Sequence, residues 1–260
     1  MMEPTDGRRP GTEPRKHRRG VSLLPSILTV GNMFCGYACV LYAMRGHLEV
    51  AASLIGIAMI LDMLDGRIAR MTGTTSAFGV EFDSLADVIS FGLAPAVLAF
   101  SWGLSELGRL GWAAGFIFVS AAAMRLARFN IQSAAPALHD KRYFVGMPSP
   151  PAAGVVAATI HAWPYPLTGR ALASAALALT IVPALLMVST IRFRSFKELD
   201  FGYGPRYRLA LVILLIVVIY AQPEISLVVL AYGYLLSAFI GLAITRWRAR
   251  REGLPPATSP

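Results

Sequence analysis

Residues 62–70 of the chain read D-M-L-D-G-R-I-A-R, and eight residues later the stretch 79–87 reads G-V-E-F-D-S-L-A-D. The two stretches carry four carboxylates at the ends of otherwise apolar segments, namely Asp62, Asp65, Asp83 and Asp87. An ionised carboxylate near hydrocarbon is costly, so acids in such segments are functional candidates by default. The spacing within each pair places both acids on one helix face. We therefore predict that two helices meet on these faces and bind Mg²⁺ or Mn²⁺.

Small residues accompany the acids at helical spacing. Gly66 and Ala69 follow Asp62 along its helix face, and Gly79 precedes the second acid pair by one turn. Such residues either let helices approach closely or leave room for a bulky group beside the metals. Arg70 adds a cation that suits a phosphate. Metals, room and an arginine together indicate a diphosphate substrate that carries a flat base.

The whole pattern, D-x-x-D-G-x-x-A-R, eight residues and G-x-x-x-D-x-x-x-D, resembles the signature of the CDP-alcohol phosphatidyltransferases. All eight defining positions hold the expected residue, namely Asp62, Asp65, Gly66, Ala69, Arg70, Gly79, Asp83 and Asp87. The alternative is that the acids are solvated helix-end charges or snorkel to the membrane interface. That alternative does not require glycine and alanine at these offsets, so we favour a catalytic metal site.

The composition is typical of a polytopic membrane protein, since 55% of the residues are hydrophobic and 15% are charged. A membrane-spanning helix needs about 20 apolar residues. The apolar runs predict an all-α bundle of about eight transmembrane helices, at residues 24–44, 48–65, 80–101, 111–129, 149–163, 171–191, 208–221 and 224–245. The fifth and seventh runs are short and prolines interrupt the fifth, so seven spans are the alternative.

The basic residues orient this bundle. With the N-terminus in the cytoplasm, every Lys and Arg except Arg45, Arg109 and Arg170 falls on the cytoplasmic side. This asymmetry follows the positive-inside rule and predicts that both termini, and the acids, are at the cytoplasmic face. Attraction to anionic membrane lipids explains the net charge of +9 with fewer assumptions than nucleic-acid binding, which we do not expect.

The chain divides into a membrane-embedded catalytic bundle at residues 21–245 and two polar tails. Residues 1–20 are basic and rich in Pro and Gly, and we predict that they are disordered. Residues 246–260 form a basic C-terminal tail. The apolar run after the first tail is long and is followed by further spans, so we interpret it as a retained anchor, not a signal peptide.

A second cationic group ends the fourth predicted span, where Arg125, Arg128 and Asn130 lie in the stretch M-R-L-A-R-F-N. The two arginines share a helix face. One interpretation is that they only anchor the helix at the cytoplasmic surface. The other is that they point inward and bind an anion, either a lipid phosphate or the carboxylate of an amino-acid acceptor. The sequence leaves both open.

Further stretches resemble the bacterial branch of the family that makes phosphatidylserine. They are L-P-S-I-L-T-V-G-N-M-F-C-G at 24–36, S-F-G-L-A-P-A at 90–96, R-L-A-R-F-N at 125–130, G-M-P-S-P at 146–150 and I-R-F-R-S-F-K at 191–197. The resemblance implies an enzyme of the bacterial cytoplasmic (inner) membrane. It would transfer the phosphatidyl group of CDP-diacylglycerol to the hydroxyl of L-serine and release CMP.

The resemblance also implies roles for single residues. The four aspartates would hold the metals, and Asp87 would also take the proton of the serine hydroxyl. Gly66, Ala69, Arg70 and Gly79 would bind the nucleotide. Family members usually form homodimers in which each protomer carries its own site, so we expect a homodimer among membrane lipids.

Two rival functions remain. The first is the same chemistry with another acceptor, such as glycerol 3-phosphate, inositol phosphate or choline. The second is a cation transporter that uses the four acids as a transport site. Transport sites usually lie near the midplane between inverted repeats. Here the acids lie toward one side and the two halves show no matching pattern, so we favour the enzyme.

Overall fold

The computed structural model describes residues 23–134, 143–189, 192–194, 213–214 and 217–251. Within these ranges the chain is helical apart from two short strands. The α-helices are α1 (Leu23–Met44), α2 (Leu48–Thr72), α3 (Ala77–Asp87), α4 (Ala94–Trp102), α5 (Arg109–Ala134), α6 (Ser149–Ala162), α7 (Arg170–Val188) and α8 (Pro223–Arg251). A π-helical segment, Val88–Leu93, joins α3 to α4, and a 3-10 turn, Leu104–Leu107, leads into α5.

Among the described residues, four helices are long and apolar enough to cross a membrane. They are Ser26–Met44, Ala77–Trp102, Arg109–Gln132 and Arg170–Val188. This confirms the helical, membrane-capable architecture that the sequence predicts. The number of spans and the orientation of the termini stay predictions. Half of the predicted span at 208–221 and the whole tail at 1–20 lie outside the described residues. Helix α8 continues to Arg251, into the predicted C-terminal tail.

The hairpin that carries the acids is longer than the hydropathy predicts. The predicted span ends at residue 65, but α2 continues to Thr72. Gly73 ends the helix in the left-handed conformation, at φ 65°, which glycine adopts without strain. Ser76 then caps α3 by accepting a hydrogen bond from the Gly79 N–H at 3.0 Å. Asp62 and Asp65 therefore lie inside α2, and Asp83 and Asp87 lie inside the continuous helical segment Ala77–Trp102, whereas the sequence interpretation places the acids at helix ends.

Two three-residue strands add a short ribbon to the helical bundle. Strand β1 (Tyr143–Val145) pairs antiparallel with β2 (Arg192–Arg194). Just after β1, the Met147 N–H donates to the Leu186 carbonyl at 2.9 Å. The start of α6 and the end of α7 are therefore held together at one end of the bundle.

The interior of the bundle is built mainly from small side chains. Helix α2 packs most extensively on α1 and also contacts α6. Its fully or almost fully buried residues include Ala51, Ala52, Ile55 and Ala58. Small residues let membrane helices approach closely. In lipid the hydrophobic effect does not hold helices together, so the van der Waals contacts of this close packing stabilise the bundle instead. This packing positions the second half of α2, with its acids, against α1.

Candidate active site

The two acid pairs converge between α2 and α3. Carboxylate oxygens of Asp62, Asp83 and Asp87, here called the acid trio, lie within 4.8 Å of one another. Asp87 is buried, and the other two are half-buried. Like charges so close together repel one another strongly unless a cation or protons compensate them. The arrangement is therefore suited to a bound cation.

Asp65 lies beside the acid trio but outside it. Its side chain is buried, and its Oδ2 accepts a hydrogen bond from the Thr29 hydroxyl at 3.0 Å. Its charge nevertheless acts on both Asp62 and Asp83. The structure thus brings all four predicted acids into one region and sets one of them apart through a hydrogen bond to α1.

Helix α1 also contacts the second acid pair. The Asn32 amide donates to Oδ1 of Asp87 at 3.2 Å, and Asn32 is completely buried. Sequence analysis does not identify Thr29 or Asn32 as partners of the acids. Their spacing is the signal that could have identified them. Two polar residues one turn apart in an apolar helix lie on the same face, and each needs a buried hydrogen-bond partner there.

The contact between α1 and the π-helical segment is a backbone-to-backbone approach. The Ser90 hydroxyl donates to the Asn32 carbonyl at 2.9 Å. A Cβ on Gly36 would lie 2.7 Å from the Ser90 Cα, closer than real Cβ atoms approach. π-Helical turns occur often at functional sites, and this one begins directly after Asp87. The stretches 24–36 and 90–96 therefore pack on each other.

The residues around the acid trio fit a hard divalent cation. Oδ1 of Asp83 and Oδ1 of Asn32 are buried and have no hydrogen-bond partner among the described residues. Buried oxygens normally find a partner, so two unsatisfied acceptors near three carboxylates indicate that a cation or its bound water completes the site. An all-oxygen donor set is the one that Mg²⁺ and Mn²⁺ prefer.

Arg125 is a second cation, besides Arg70, whose charge acts on the acids. Its guanidinium donates to the Ser149 hydroxyl at 2.7 Å and is within charge-interaction range of Asp62 and Asp87. It also interacts with Tyr234 of α8. Neither Ser149 nor Tyr234 is a candidate in the sequence analysis, because residues this far apart in the chain share no local pattern. Arg125 could therefore hold an anion beside the acid trio.

Arg128 and Asn130 are placed differently from Arg125. The Arg128 guanidinium is directed to the Val188 carbonyl at 3.5 Å, at the end of α7. The Asn130 amide donates to the Ser84 hydroxyl at 2.9 Å, joining α5 to α3 next to an acid. The three predicted anion-binding residues thus separate into one that faces the acids and two that connect helix ends.

The small residues of the pattern have identifiable neighbours. A Cβ on Gly66 would lie 3.3 Å from the Arg70 guanidinium, so glycine leaves room for that side chain. Arg70 is exposed and acts electrostatically on Asp62. Gly79 lies at the N-terminus of α3, where a Cβ would lie 3.1 Å from the Ser76 hydroxyl oxygen. The space beside Arg70 is compatible with a nucleotide. Gly79 has a structural role as well, because its N–H donates to Ser76, the N-cap of α3.

Comparison with known proteins agrees with this geometry. The family model described as CDP-alcohol phosphatidyltransferase matches residues 22–183. A CDP-diacylglycerol–serine O-phosphatidyltransferase of Helicobacter pylori (strain 26695) is 37% identical over 230 residues, covering 86% of this chain and 91% of that relative. A protein of the same name from Bacillus subtilis (strain 168) is 32% identical, over 68% of this chain and 93% of the relative. An archaetidylserine synthase of Methanothermobacter thermautotrophicus is 35% identical, over 65% and 69% respectively.

Proposed function

The chain belongs to the CDP-alcohol phosphatidyltransferase family, and we propose that it transfers the phosphatidyl group of CDP-diacylglycerol to the hydroxyl of L-serine. The bond between the two phosphates of the donor breaks, a bond from the lipid phosphate to the serine oxygen forms, and CMP leaves. The observation that carries this proposal is the convergence of the acid trio, on which the charges of Arg125 and Arg70 act. The names of the relatives support serine as the acceptor.

The acids would hold one or more Mg²⁺ or Mn²⁺ ions. Asp62, Asp83 and Asp87 are close enough to share an ion, and Asp65 is near enough to contribute its charge. A bound divalent ion would neutralise charge on the diphosphate oxygens and favour the departure of CMP. The protein's own contribution is to position the reacting groups, which is most of what phosphoryl transfer requires.

Asp87 would take the proton from the serine hydroxyl as that oxygen attacks the lipid phosphate. The carboxylate is buried, and its Oδ1 is held by Asn32, which leaves Oδ2 for other contacts. Burial among apolar helices also excludes water, which would otherwise compete with serine as the acceptor. These features support a base at this position.

The substrates would be held from two sides. On the donor side, Gly66, Ala69 and Gly79 would accommodate cytidine and Arg70 a phosphate, since the Arg70 side chain is exposed beside Gly66. On the acceptor side, Arg125 would pair with the serine carboxylate, because its charge acts on Asp87, the proposed base. Arg128 and Asn130 lie farther along α5 and would face the lipid phosphate or only fix the helix ends.

We place the enzyme in the bacterial cytoplasmic membrane as a homodimer, with the site and both termini at the cytoplasmic face. Four membrane-capable helices and the one-sided distribution of Lys and Arg support the membrane location and its orientation. The homodimer rests on the family resemblance alone. CDP-diacylglycerol would then enter from the surrounding lipid, and serine from the cytoplasm.

The deciding experiment is product analysis with purified enzyme in mixed micelles. CDP-diacylglycerol and Mn²⁺ are supplied with L-serine, glycerol 3-phosphate, inositol phosphate or choline in turn, and both CMP and the lipid product are measured. We expect CMP release that depends on serine and yields phosphatidylserine. Release with another acceptor alone would refute serine as the substrate. Mn²⁺ uptake into proteoliposomes without any CMP release would instead support the transporter.

A further inference from the structure

Two polar side chains of α1 hold acids that belong to two different helices. The Thr29 hydroxyl donates to Asp65 on α2 at 3.0 Å, and the Asn32 amide donates to Asp87 on α3 at 3.2 Å. Both donors are buried, and Asn32 is completely so. They lie one turn apart, so a single face of α1 contacts both acid pairs.

We propose that Asn32 is a positioning residue that orients the Asp87 carboxylate, an inference that rests on the proposed role of Asp87. An unrestrained carboxylate can rotate about its last bond, and repulsion from Asp62 and Asp83 would turn it away from the acid trio. A hydrogen bond to Oδ1 fixes the plane of the carboxylate and leaves Oδ2 directed elsewhere. Hydrogen bonds of this kind set the orientation of metal-ligating side chains in many sites.

The chemical nature of asparagine supports this role. An amide donates a hydrogen bond without adding charge, so Asp87 keeps its full negative charge for a cation or for a proton. A lysine or arginine in the same place would compete with the cation. The second amide atom, Oδ1 of Asn32, is buried and unpaired among the described residues, so the side chain has a further acceptor available within the site.

Asn32 is itself held in register with Asp87. The Ser90 hydroxyl donates to the Asn32 carbonyl at 2.9 Å, and Ser90 follows Asp87 by three residues on the same continuous helix. Gly36 permits the close backbone approach that this bond requires. A shift of α1 along its axis would therefore break the Ser90 and Asp87 contacts together, so the packing fixes the position of the amide.

The test compares Asn32→Leu, which keeps the number and branching of the side-chain heavy atoms and removes the donor, with Cys39→Ala as a matched control. Cys39 is completely buried on the same helix, and its thiol donates to the Ala94 carbonyl at 3.9 Å, with no hydrogen bond to an acid among the described residues. Mn²⁺ binding to the purified protein is measured by electron paramagnetic resonance without substrate. Separately, kcat and the KM for CDP-diacylglycerol are measured with whichever acceptor the wild type uses.

We expect Asn32→Leu to lower Mn²⁺ affinity, kcat or both by at least about tenfold, with the donor KM within about twofold of wild type. Cys39→Ala should change none of these. Wild-type Mn²⁺ affinity and kcat in Asn32→Leu, or an equal loss in Cys39→Ala, would overturn the proposal. If the leucine variant does not fold, Asn32→Ser replaces it, since its hydroxyl is too short to reach Asp87, and the same criteria apply. The Mn²⁺ measurement does not depend on which acceptor the enzyme uses. The proposal for Asn32 can therefore fail while serine is the acceptor, and the reverse also holds.

Discussion

The Arg125 guanidinium donates to the Ser149 hydroxyl across 2.7 Å, and this contact joins two stretches of sequence that no local pattern connects. Arg125 lies near the end of α5 and Ser149 begins α6, next to the β1–β2 ribbon. Because the charge of Arg125 also acts on Asp62 and Asp87, the contact helps to hold a cation near the acids. Arg128, one turn farther along, is directed at the end of α7.

We therefore predict that Arg125→Ala raises the KM for serine at least about tenfold, the effect of losing one charge-assisted hydrogen bond worth about 1.5–3 kcal/mol. The KM for CDP-diacylglycerol should change little. Arg128→Ala on the same helix is the matched control, and its effect on serine should be smaller. Steady-state kinetics in mixed micelles measures both constants. An Arg128 variant that loses more serine affinity than the Arg125 variant would contradict this assignment.

A second prediction concerns the acid trio. Replacing Asp62 or Asp83 with Asn removes one negative charge from the acid trio, whose carboxylate oxygens lie within 4.8 Å of one another. Turnover should fall below detection, and Mn²⁺ affinity measured by electron paramagnetic resonance should fall with it. Asp65→Asn should also reduce activity, since its charge acts on the same groups. Glu49→Gln, in the first turn of α2, is the control and should behave as wild type. Unchanged Mn²⁺ binding in Asp83→Asn would exclude this cluster as the metal site.

The sequence predicts the positions of the described helices well because burial in lipid requires long apolar runs. It predicts their ends poorly. After Asp65 the polar segment R-I-A-R-M-T is too hydrophilic for a span, yet it remains helical until Gly73 terminates α2. Hydropathy predicts which residues lie in the membrane. Where a helix ends depends instead on capping residues and on glycines in the left-handed conformation, such as Gly73.

In the candidate site, too, the sequence predicts the local features and misses the contacts between distant residues. The spacing of the acids predicts that each pair shares a helix face, because that relation is local. The contact between Asn32 and Asp87 depends on which helices pack together, and no local pattern specifies it. The β1–β2 pairing is also non-local, since it joins 143–145 to 192–194. Residues such as Ser149 and Tyr234 become candidates only when the helices are seen together.

A third prediction tests whether Gly66 makes room for the donor. A Cβ there would lie 3.3 Å from the Arg70 guanidinium and displace it. Gly66→Leu should raise the KM for CDP-diacylglycerol more than the KM for serine, because Arg70 and the space beside it belong to the donor side. Gly56→Leu on the same helix is the control, since a Cβ there meets no atom within 4 Å. A Gly66 variant that folds normally with an unchanged donor KM would show that this glycine only serves helix packing.

The last prediction concerns the contact between α1 and the π-helical segment. A Cβ on Gly36 would lie 2.6 Å from the Ser90 hydroxyl oxygen and 2.7 Å from its Cα, so Gly36→Ala must push the helices apart. Overpacking of this kind costs about 1–3 kcal/mol. The higher helix propensity of alanine returns at most about 1 kcal/mol, so the variant should unfold at a lower temperature than wild type.

Gly56→Ala is the matched control for this substitution, because only the propensity gain applies where no atom is near. It should unfold at or above the wild-type temperature, as followed by circular dichroism in detergent. Adding Ser90→Ala to Gly36→Ala removes the hydroxyl overlap, but it leaves the Cα overlap and removes the hydrogen bond to the Asn32 carbonyl, so stability should recover at most in part. A Gly36→Ala protein as stable as wild type would show that the two helices are not in backbone contact at this point. The contact between these helices could then not explain how Asn32, and through it the Asp87 carboxylate, is kept in position.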